Sequence, residues 1–268
     1  MNPISNTAFY CCGVRMRDAE RSKPVCNDIY AKVFMSDEGL KILDLFKDET
    51  RPNLSNVARH RIIDDFLRQE LLADPNLLIV IIGAGFDSRG FRLHGGAWIE
   101  LDEPQIIEYK NERLPITQSE NVVHRIAINF STDSLEQKLR PYSNHEPVVV
   151  VIEGVSMYLE QTAIATLLQT LNQLFPRHKL ICDLMTWDFF ENNAKTIHDK
   201  ITGMGTCFKL SPGDPEEVFL ANGHEKVTQI QIVEKAVLFE SPEIPQTVLD
   251  AMEPPLQVGY SIYVFEKH

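Results

Sequence analysis

No apolar run in this chain approaches the roughly 20 residues that a membrane-spanning helix needs. The longest, such as LLIVII, are far shorter. The start, MNPISNTAFYCCGVRMRD, lacks a basic stretch followed by a long apolar core, so no secretory signal peptide is expected. CxxC pairs are also missing. The five cysteines, Cys11, Cys12, Cys26, Cys182 and Cys207, fit no zinc spacing. An odd, scattered set argues against a disulfide framework and for reduced thiols in a cytoplasmic setting. Positive charge is scarce: 26 Lys and Arg stand against 38 Asp and Glu, for a formal net charge of −12. A chain this acidic is not expected to bind a nucleic-acid backbone, where binding rests on basic side chains. Repeats, low-complexity tracts and Ser/Gly linkers are absent too.

What is present is an ordinary globular composition, 44% hydrophobic and 24% charged over 268 residues, enough for a sizeable core. Up to about Leu72 the pattern is helical, with Ile62, Ile63, Phe66, Leu67 and Leu71 at three- and four-residue steps. Asp74-Pro75-Asn76 breaks it. Strand-like and helix-like segments then alternate. LLIVIIG, AWIELD, VVHRIAIN, VVVVIEG and HKLICDLM are expected strands, the first and fourth apolar on both faces as central parallel strands are. PQIIEYKNERLP, SLEQKLRPY and QTAIATLLQTLNQLF are expected helices. Further helices are expected at ENNAKTIHDKITGM and PEEVFLANG. Two β-like runs in the tail, KVTQIQIVEKAVLF and QVGYSIYVFEKH, predict an antiparallel hairpin at the sheet edge. The alternation predicts a doubly wound α/β domain.

Three features of this layout carry chemistry. Gly83-Ala84-Gly85 follows the first strand, where a missing Cβ lets backbone approach a ligand; a tight turn without a ligand is the plainer alternative. The third glycine of the nicotinamide fingerprint is lacking, since Ser88 stands there, and no GK[ST] follows to make a Walker loop. Both absences point away from a pyrophosphate and towards a nucleoside without phosphates. Asp102 follows Gly85 by 17 positions, close to the roughly 20 expected of a ribose-binding acid. Glu100 shares its face by the two-residue strand period, so either acid is a candidate. Glu153 ends the fourth strand, at the edge where open α/β sheets bind ligands; a capping or ion-paired glutamate is the alternative there.

IIGAGFDSRGFRL, ELDEPQIIEYK and VVIEGVSMYLEQ, in this order and spacing, resemble the leucine carboxyl methyltransferase family. That family's pattern is roughly LGAGxDTRxxRL, E-x-D-x-P-x-x-x-x-x-K and EGxxxYL. FYCCGVRMRDAERSKPVCNDIYAKVF resembles its amino-terminal segment, and VARHRIIDDFL its R-T-x-x-I-D helix. The resemblance covers roughly Ala8 to Asp188. It implies a class I methyltransferase (Rossmann-like) fold, a doubly wound seven-stranded α/β sheet with the last strand antiparallel. One domain is expected over 1–268, with a helical lid segment at 1–73 and an α/β core at 74–268.

The resemblance also implies a cofactor, S-adenosylmethionine (SAM), with S-adenosylhomocysteine (SAH) as product, and no metal. Gly83 and Gly85 would lie under its amino-acid and ribose portion. Asp102 would accept from the ribose hydroxyls, and Asn129 and Phe130 would flank the adenine, where the family more often has Asp-Leu. Glu153 would sit near the methionine amino group. Arg59, with Arg15 as a second candidate, would pair with the methionine carboxylate. Asp87 and Arg89 are expected to order the turn.

The implied reaction is methyl transfer to a carboxylate or hydroxyl oxygen of a small-molecule acceptor. A carboxylate is already ionised at neutral pH, whereas a hydroxyl needs help from a histidine or carboxylate. Tyr158 is a candidate to orient the acceptor, with aromatic packing as its alternative. Met157, Trp187, Phe189 and Phe190 are candidates to line an apolar acceptor pocket. His198 and His224 are expected on the surface, and no general base is assigned. A protein C-terminal carboxyl methyltransferase and a nicotinamide-dependent oxidoreductase are the competing activities. Acceptor identity and oligomeric state are not set by the sequence.

Overall fold

A computed structural model describes residues 3–252, 256 and 258–268. Seven strands, β1 (Leu78–Ile82), β2 (Ala97–Asp102), β3 (Val122–Ala127), β4 (Val148–Ile152), β5 (His178–Met185), β6 (Glu225–Gln231) and β7 (Tyr260–Lys267), form one sheet. Their order is β3-β2-β1-β4-β5-β7-β6. The first five run parallel, and β7 inserts antiparallel between β5 and β6. The chain therefore starts at the sheet centre and winds outward in both directions. The reversal between β1 and β4 is where such sheets bind ligands, beyond the carboxyl ends of the strands.

Side chains alternate across this sheet with the two-residue period. Leu78, Val80 and Ile82 of β1 join one apolar cluster, and Ile79 and Ile81 join the other. On the first face α8 (Gln161–Leu174) presents Ile164, Leu168 and Leu171. On the second, α4 (Thr50–Ala73) presents Ala58, Ile62, Ile63, Leu67 and Leu71, beside Ile232 and Ala236 of α12 (Ile232–Glu240). α4 packs on the sheet and shares its core with β1. It is preceded by α1 (Pro3–Ala19), α2 (Ala31–Phe34) and α3 (Asp37–Asp44). A third cluster, with Phe9, Phe34, Leu43 and Phe46, ties these helices to Phe86 and Ile106. Among the described residues no helix is long and apolar enough to cross a membrane.

Local signals explain most boundaries. Ser36 caps α3 by accepting the Gly39 N–H, and Pro104 opens the helix Pro104–Arg113 that follows β2. Gly223, at φ +79°, follows the helix Glu217–Ala221. The tail departs from expectation. Only Glu225–Gln231 of the first β-like run is strand, and IVEKAVLFE is helical α12. A further helix, Gln246–Asp250, also lies between β6 and β7. The two strands do pair antiparallel, but helices lie between them in the chain and they are not joined by a tight hairpin turn. The apolar run continues into α12 because Ile232 and Ala236, four apart, bury against α4 on one helical face.

Candidate functional site

The glycine turn closes the carboxyl end of β1. Gly83 has φ +69° and Gly85 φ +47°, both in the left-handed region. A Cβ on Gly83 would lie 2.5 Å from the Val155 Cγ2, so the β4 loop leaves no room for one. The Ala84 N–H donates to the Leu101 carbonyl at 2.9 Å, holding the turn against β2. Asp102 then completes the contact. Its Oδ2 accepts the Gly85 N–H at 2.6 Å and its Oδ1 the Glu103 N–H at 2.7 Å. Burial raises the Asp102 carboxyl above its ordinary range, against the pull of those two N–H groups.

Glu100 is not at this edge. It is fully buried, and its Oε2 is ion-paired with Lys110 at 2.6 Å and accepts from Arg125 at 2.9 Å. The strand period puts both acids on one face, but only Asp102 lies at the strand end. That leaves Asp102 as the ribose candidate. Asn129 and Phe130 lie beyond β3, and the Phe130 N–H is 3.4 Å from Glu103 Oε1, which brings their loop beside the Asp102 edge. The Phe130 ring is 46% exposed, an aromatic surface next to that edge. The Asn129 amide oxygen accepts the Ser131 N–H of its own loop at 3.0 Å.

On the other side of the turn a buried ionic network runs through the molecule. Glu153 accepts from Arg59 Nε at 3.1 Å and is ion-paired with Arg89 at 2.8 Å, with His60 Nδ1 at 3.2 Å. Burial opposes its ionisation, but Arg89, His60 and Arg59 outweigh this and hold its carboxyl well below the usual range. Arg89 also donates to Asp64 at 2.6 Å and to Asp87 at 2.5 Å. Asp87 and Arg89 thus order the turn. Arg92 joins Asp64 at 2.7 Å, and Ser88 donates to Asp28 at 2.5 Å. Burial raises the Asp28 carboxyl, but Arg92 and Arg15 outweigh it and bring it to about 2.

Arg15 bonds Asp28 at 3.0 Å and donates to the Phe86 carbonyl at 2.8 Å. It therefore pins α1 to the residue after Gly85. Arg59 is placed differently. Its Nη1 reaches Tyr260 Oη at 2.8 Å and Asp183 at 3.2 Å. Its Nη2 has the Cys11 Sγ at 4.0 Å, too far for strong pairing, and would be 3.0 Å from a Cβ on Gly154. Arg59, Gly154 and Tyr260 line a cavity of about 870 Å³, so the cation borders open space. His60, Asp87 and Glu153 offer three ligand atoms within 4.8 Å of one another. The Arg89 guanidinium lies between all three, which leaves that cluster no room for a cation.

The cavity is bounded by α1 through Thr7, Tyr10 and Cys11, by α4, by the β4 loop and by α12. Met157 and Phe189 line it, as expected. Trp187 and Phe190 do not. They pack on each other with ring centres 5.4 Å apart. Tyr158 lines the cavity edge-on to Phe208 at 5.3 Å, and burial raises its hydroxyl above the ordinary tyrosine range. Of the two expected surface histidines, His224 is buried and His198 is half-buried. His224 is 2% exposed beside His178, and His198 packs against Phe190 and Phe208.

No role is assigned to His60, Asp64 or Asp183 from the sequence, although Asp64 stands at the acid of the R-T-x-x-I-D pattern. The available signal was an acid inside an apolar strand, LICDLM, and a His-Arg-Asp set at helical spacing on α4.

A seven-stranded sheet of this order, with a glycine turn on β1 and an acid ending β2, defines the class I methyltransferase fold. A putative methyltransferase from Thermobifida fusca YX shares it, with a TM-score of 0.58 and 12% identity over 93% of this chain and 97% of that one. The model of the leucine carboxyl methyltransferase family matches residues 8–172. The chain belongs to that family. A Mycobacterium tuberculosis protein named a putative S-adenosyl-L-methionine-dependent methyltransferase is 29% identical over 60% of this chain. That match covers 59% of the mycobacterial protein, less than two thirds of its length. A Gibberella zeae protein named as an S-adenosyl-L-methionine-dependent methyltransferase is also 29% identical, over 76% of this chain and 74% of its own.

Proposed function

We propose that this protein is a SAM-dependent O-methyltransferase acting on a carboxylate or hydroxyl of a small, largely apolar acceptor. One observation carries the reading. The Gly85–Asp102 contact stands on one side of the β1–β4 reversal, and on the other the Arg59 guanidinium borders the 870 Å³ cavity. A nucleoside end and a charged amino-acid end fit that division. The tight turn at Gly83 and Gly85 lies between them, Asp102 offers carboxylate lone pairs to ribose hydroxyls, and Arg59 offers a cation to a carboxylate. Phe130 offers a ring face for a base.

SAM supplies an electrophilic methyl group on a sulfonium. The protein's share is orientation and exclusion of water. Four arginines (15, 59, 89 and 92) meet five carboxylates (28, 64, 87, 153 and 183) in the buried network. Met157, Phe189, Phe208 and Ala236 offer the acceptor an apolar wall, and Tyr158 a hydroxyl at its edge. The cysteines are all free, which fits the reducing cytoplasmic setting included in this proposal.

Calorimetric titration with SAM, SAH and NADH tests the cofactor, with tight SAH binding and no NADH binding expected. Transfer of labelled methyl from SAM to panels of phenols, small carboxylic acids and a peptide ending in leucine tests the acceptor. Labelling of the peptide alone would transfer the assignment to a protein carboxyl methyltransferase.

A further inference from the structure

Asp183 is a carboxylate with no exposed surface, set in the apolar strand β5. It belongs to the buried network above but has no role of its own there, and it accepts three donors from three different elements. These are the Gly154 N–H at 2.6 Å, the Tyr260 hydroxyl at 2.8 Å and the Arg59 Nη1 at 3.2 Å. Tyr260 begins β7, which pairs antiparallel with β5 and places Tyr260 opposite Met185. Its hydroxyl lies between Asp183 and Arg59 and is 2.8 Å from each.

This arrangement fixes a direction. A guanidinium is planar, so anchoring two of its nitrogens fixes the third. Glu153 holds Nε, and the Asp183–Tyr260 pair holds Nη1. Nη2 is left towards Gly154, where a Cβ would stand 3.0 Å away. The same Asp183 carboxylate holds the Gly154 backbone through its N–H, so one acid sets both the cation and the wall beside it.

We propose that Asp183 and Tyr260 are positioning residues that aim Arg59 Nη2 at the carboxylate of the cofactor's amino-acid end. This rests on the methyltransferase reading above. Neither residue touches the ligand's carboxylate in this scheme; both act through Arg59. Their effect therefore belongs to ligands that carry the amino-acid end and not to the nucleoside.

The test compares SAH with 5′-methylthioadenosine, which keeps the nucleoside and lacks the amino acid, by titration calorimetry on the full chain. Tyr260→Phe is expected to weaken SAH about fivefold, the range for one lost hydrogen bond to a charged group's anchor. Asp183→Asn is expected to weaken it more than about tenfold, because an amide turns a donor towards donors. Methylthioadenosine affinity should stay within about twofold in both. In an Arg59→Gln background Tyr260→Phe should add nothing further. Should Asp183→Asn fail to fold, Tyr260→Phe and its coupling to Arg59 decide alone. Equal losses for both ligands, or no loss for SAH, would overturn the positioning role while leaving the cofactor assignment intact. A wild-type chain that binds neither ligand overturns both.

Discussion

The Asp102 carboxylate accepts the Gly85 N–H at 2.6 Å, joining the ends of two adjacent parallel strands across 17 residues. Burial makes this carboxylate costly, since its pKa lies above the ordinary range despite two N–H partners. A carboxyl group with a raised folded pKa favours the folded state only at low pH, and this is lost as pH rises through the folded value. At neutral pH the ionised Asp102 is therefore a net cost to folding. Asp102→Asn is expected to change the urea midpoint at pH 7 little, because the relief of the buried charge is offset by an amide N–H set against one backbone N–H, while SAH affinity falls about tenfold or more. Unchanged affinity in a folded variant would remove Asp102 from the cofactor site.

Gly83→Ala is expected to destabilise by about 3 kcal/mol, combining left-handed strain with overpacking. The overpacking comes from Val155 Cγ2, 2.5 Å from the new Cβ. Adding Val155→Ala should recover the packing part and leave about 1–2 kcal/mol of strain. Denaturant melts of the three variants measure this split. A full recovery in the double variant would show that the φ of +69° matters little.

Arg89→Met is expected to cost about 3–5 kcal/mol, because it strands Asp64, Asp87 and Glu153 in the interior without their shared cation. Arg89 has no exposed surface, so water cannot replace it. Chemical denaturation checks the size of the loss. A change below about 1 kcal/mol would mean that Arg59 and Arg92 take over the carboxylates.

Acid should destabilise the fold before the carboxylates titrate. Burial, followed by the nearby His178, lowers the His224 pKa from 6.5 to about 4. Between those values the unfolded chain binds a proton that the folded chain does not, so stability falls as pH falls. His60 and His178 are also lowered, mainly by burial, and add in the same direction. The urea midpoint is expected to drop between pH 7 and pH 5, and His224→Phe should shallow that drop. An identical slope in the variant would exclude His224 as a contributor.

The strands could be read from the sequence because their period and their punctuation agree. AWIELD and HKLICDLM match β2 and β5 residue for residue. The tail could not, since IVEKAVLF is apolar enough for either a strand or a buried helix, and only packing against α4 decides. At the site, the chain-local signals of Gly83, Gly85 and Asp102 were visible in one stretch of residues. The partners of Glu153 and Arg59 were not, because Arg59 is 94 residues from Glu153, 124 from Asp183 and 201 from Tyr260. Spacing along a chain carries no record of which buried charges will share a cavity wall. The same holds for Arg15, whose bonds to Asp28 and the Phe86 carbonyl its place in the sequence does not show.

Acceptor choice should be separable from cofactor binding. Ala236 lines the cavity from α12, whereas the residues proposed to hold the cofactor lie on α4 and at the ends of β1, β2, β3 and β4. It is 7% exposed and faces the same space as Met157, Phe189 and Phe208. In Ala236→Phe the new ring would take volume from the acceptor side without altering charge or hydrogen bonding. Pocket discrimination by shape alone amounts to about 10–200-fold for a single methylene. Transfer to a bulky acceptor should therefore fall by about tenfold or more, and transfer to a smaller one by less. SAH affinity should hold within about twofold, since none of its proposed contacts changes. The ratio of kcat/KM for the two acceptors is the informative readout, because a general loss of folding lowers both alike. A parallel fall for both acceptors, or a loss of SAH binding, would mean that the cavity beside α12 holds the cofactor and not the acceptor.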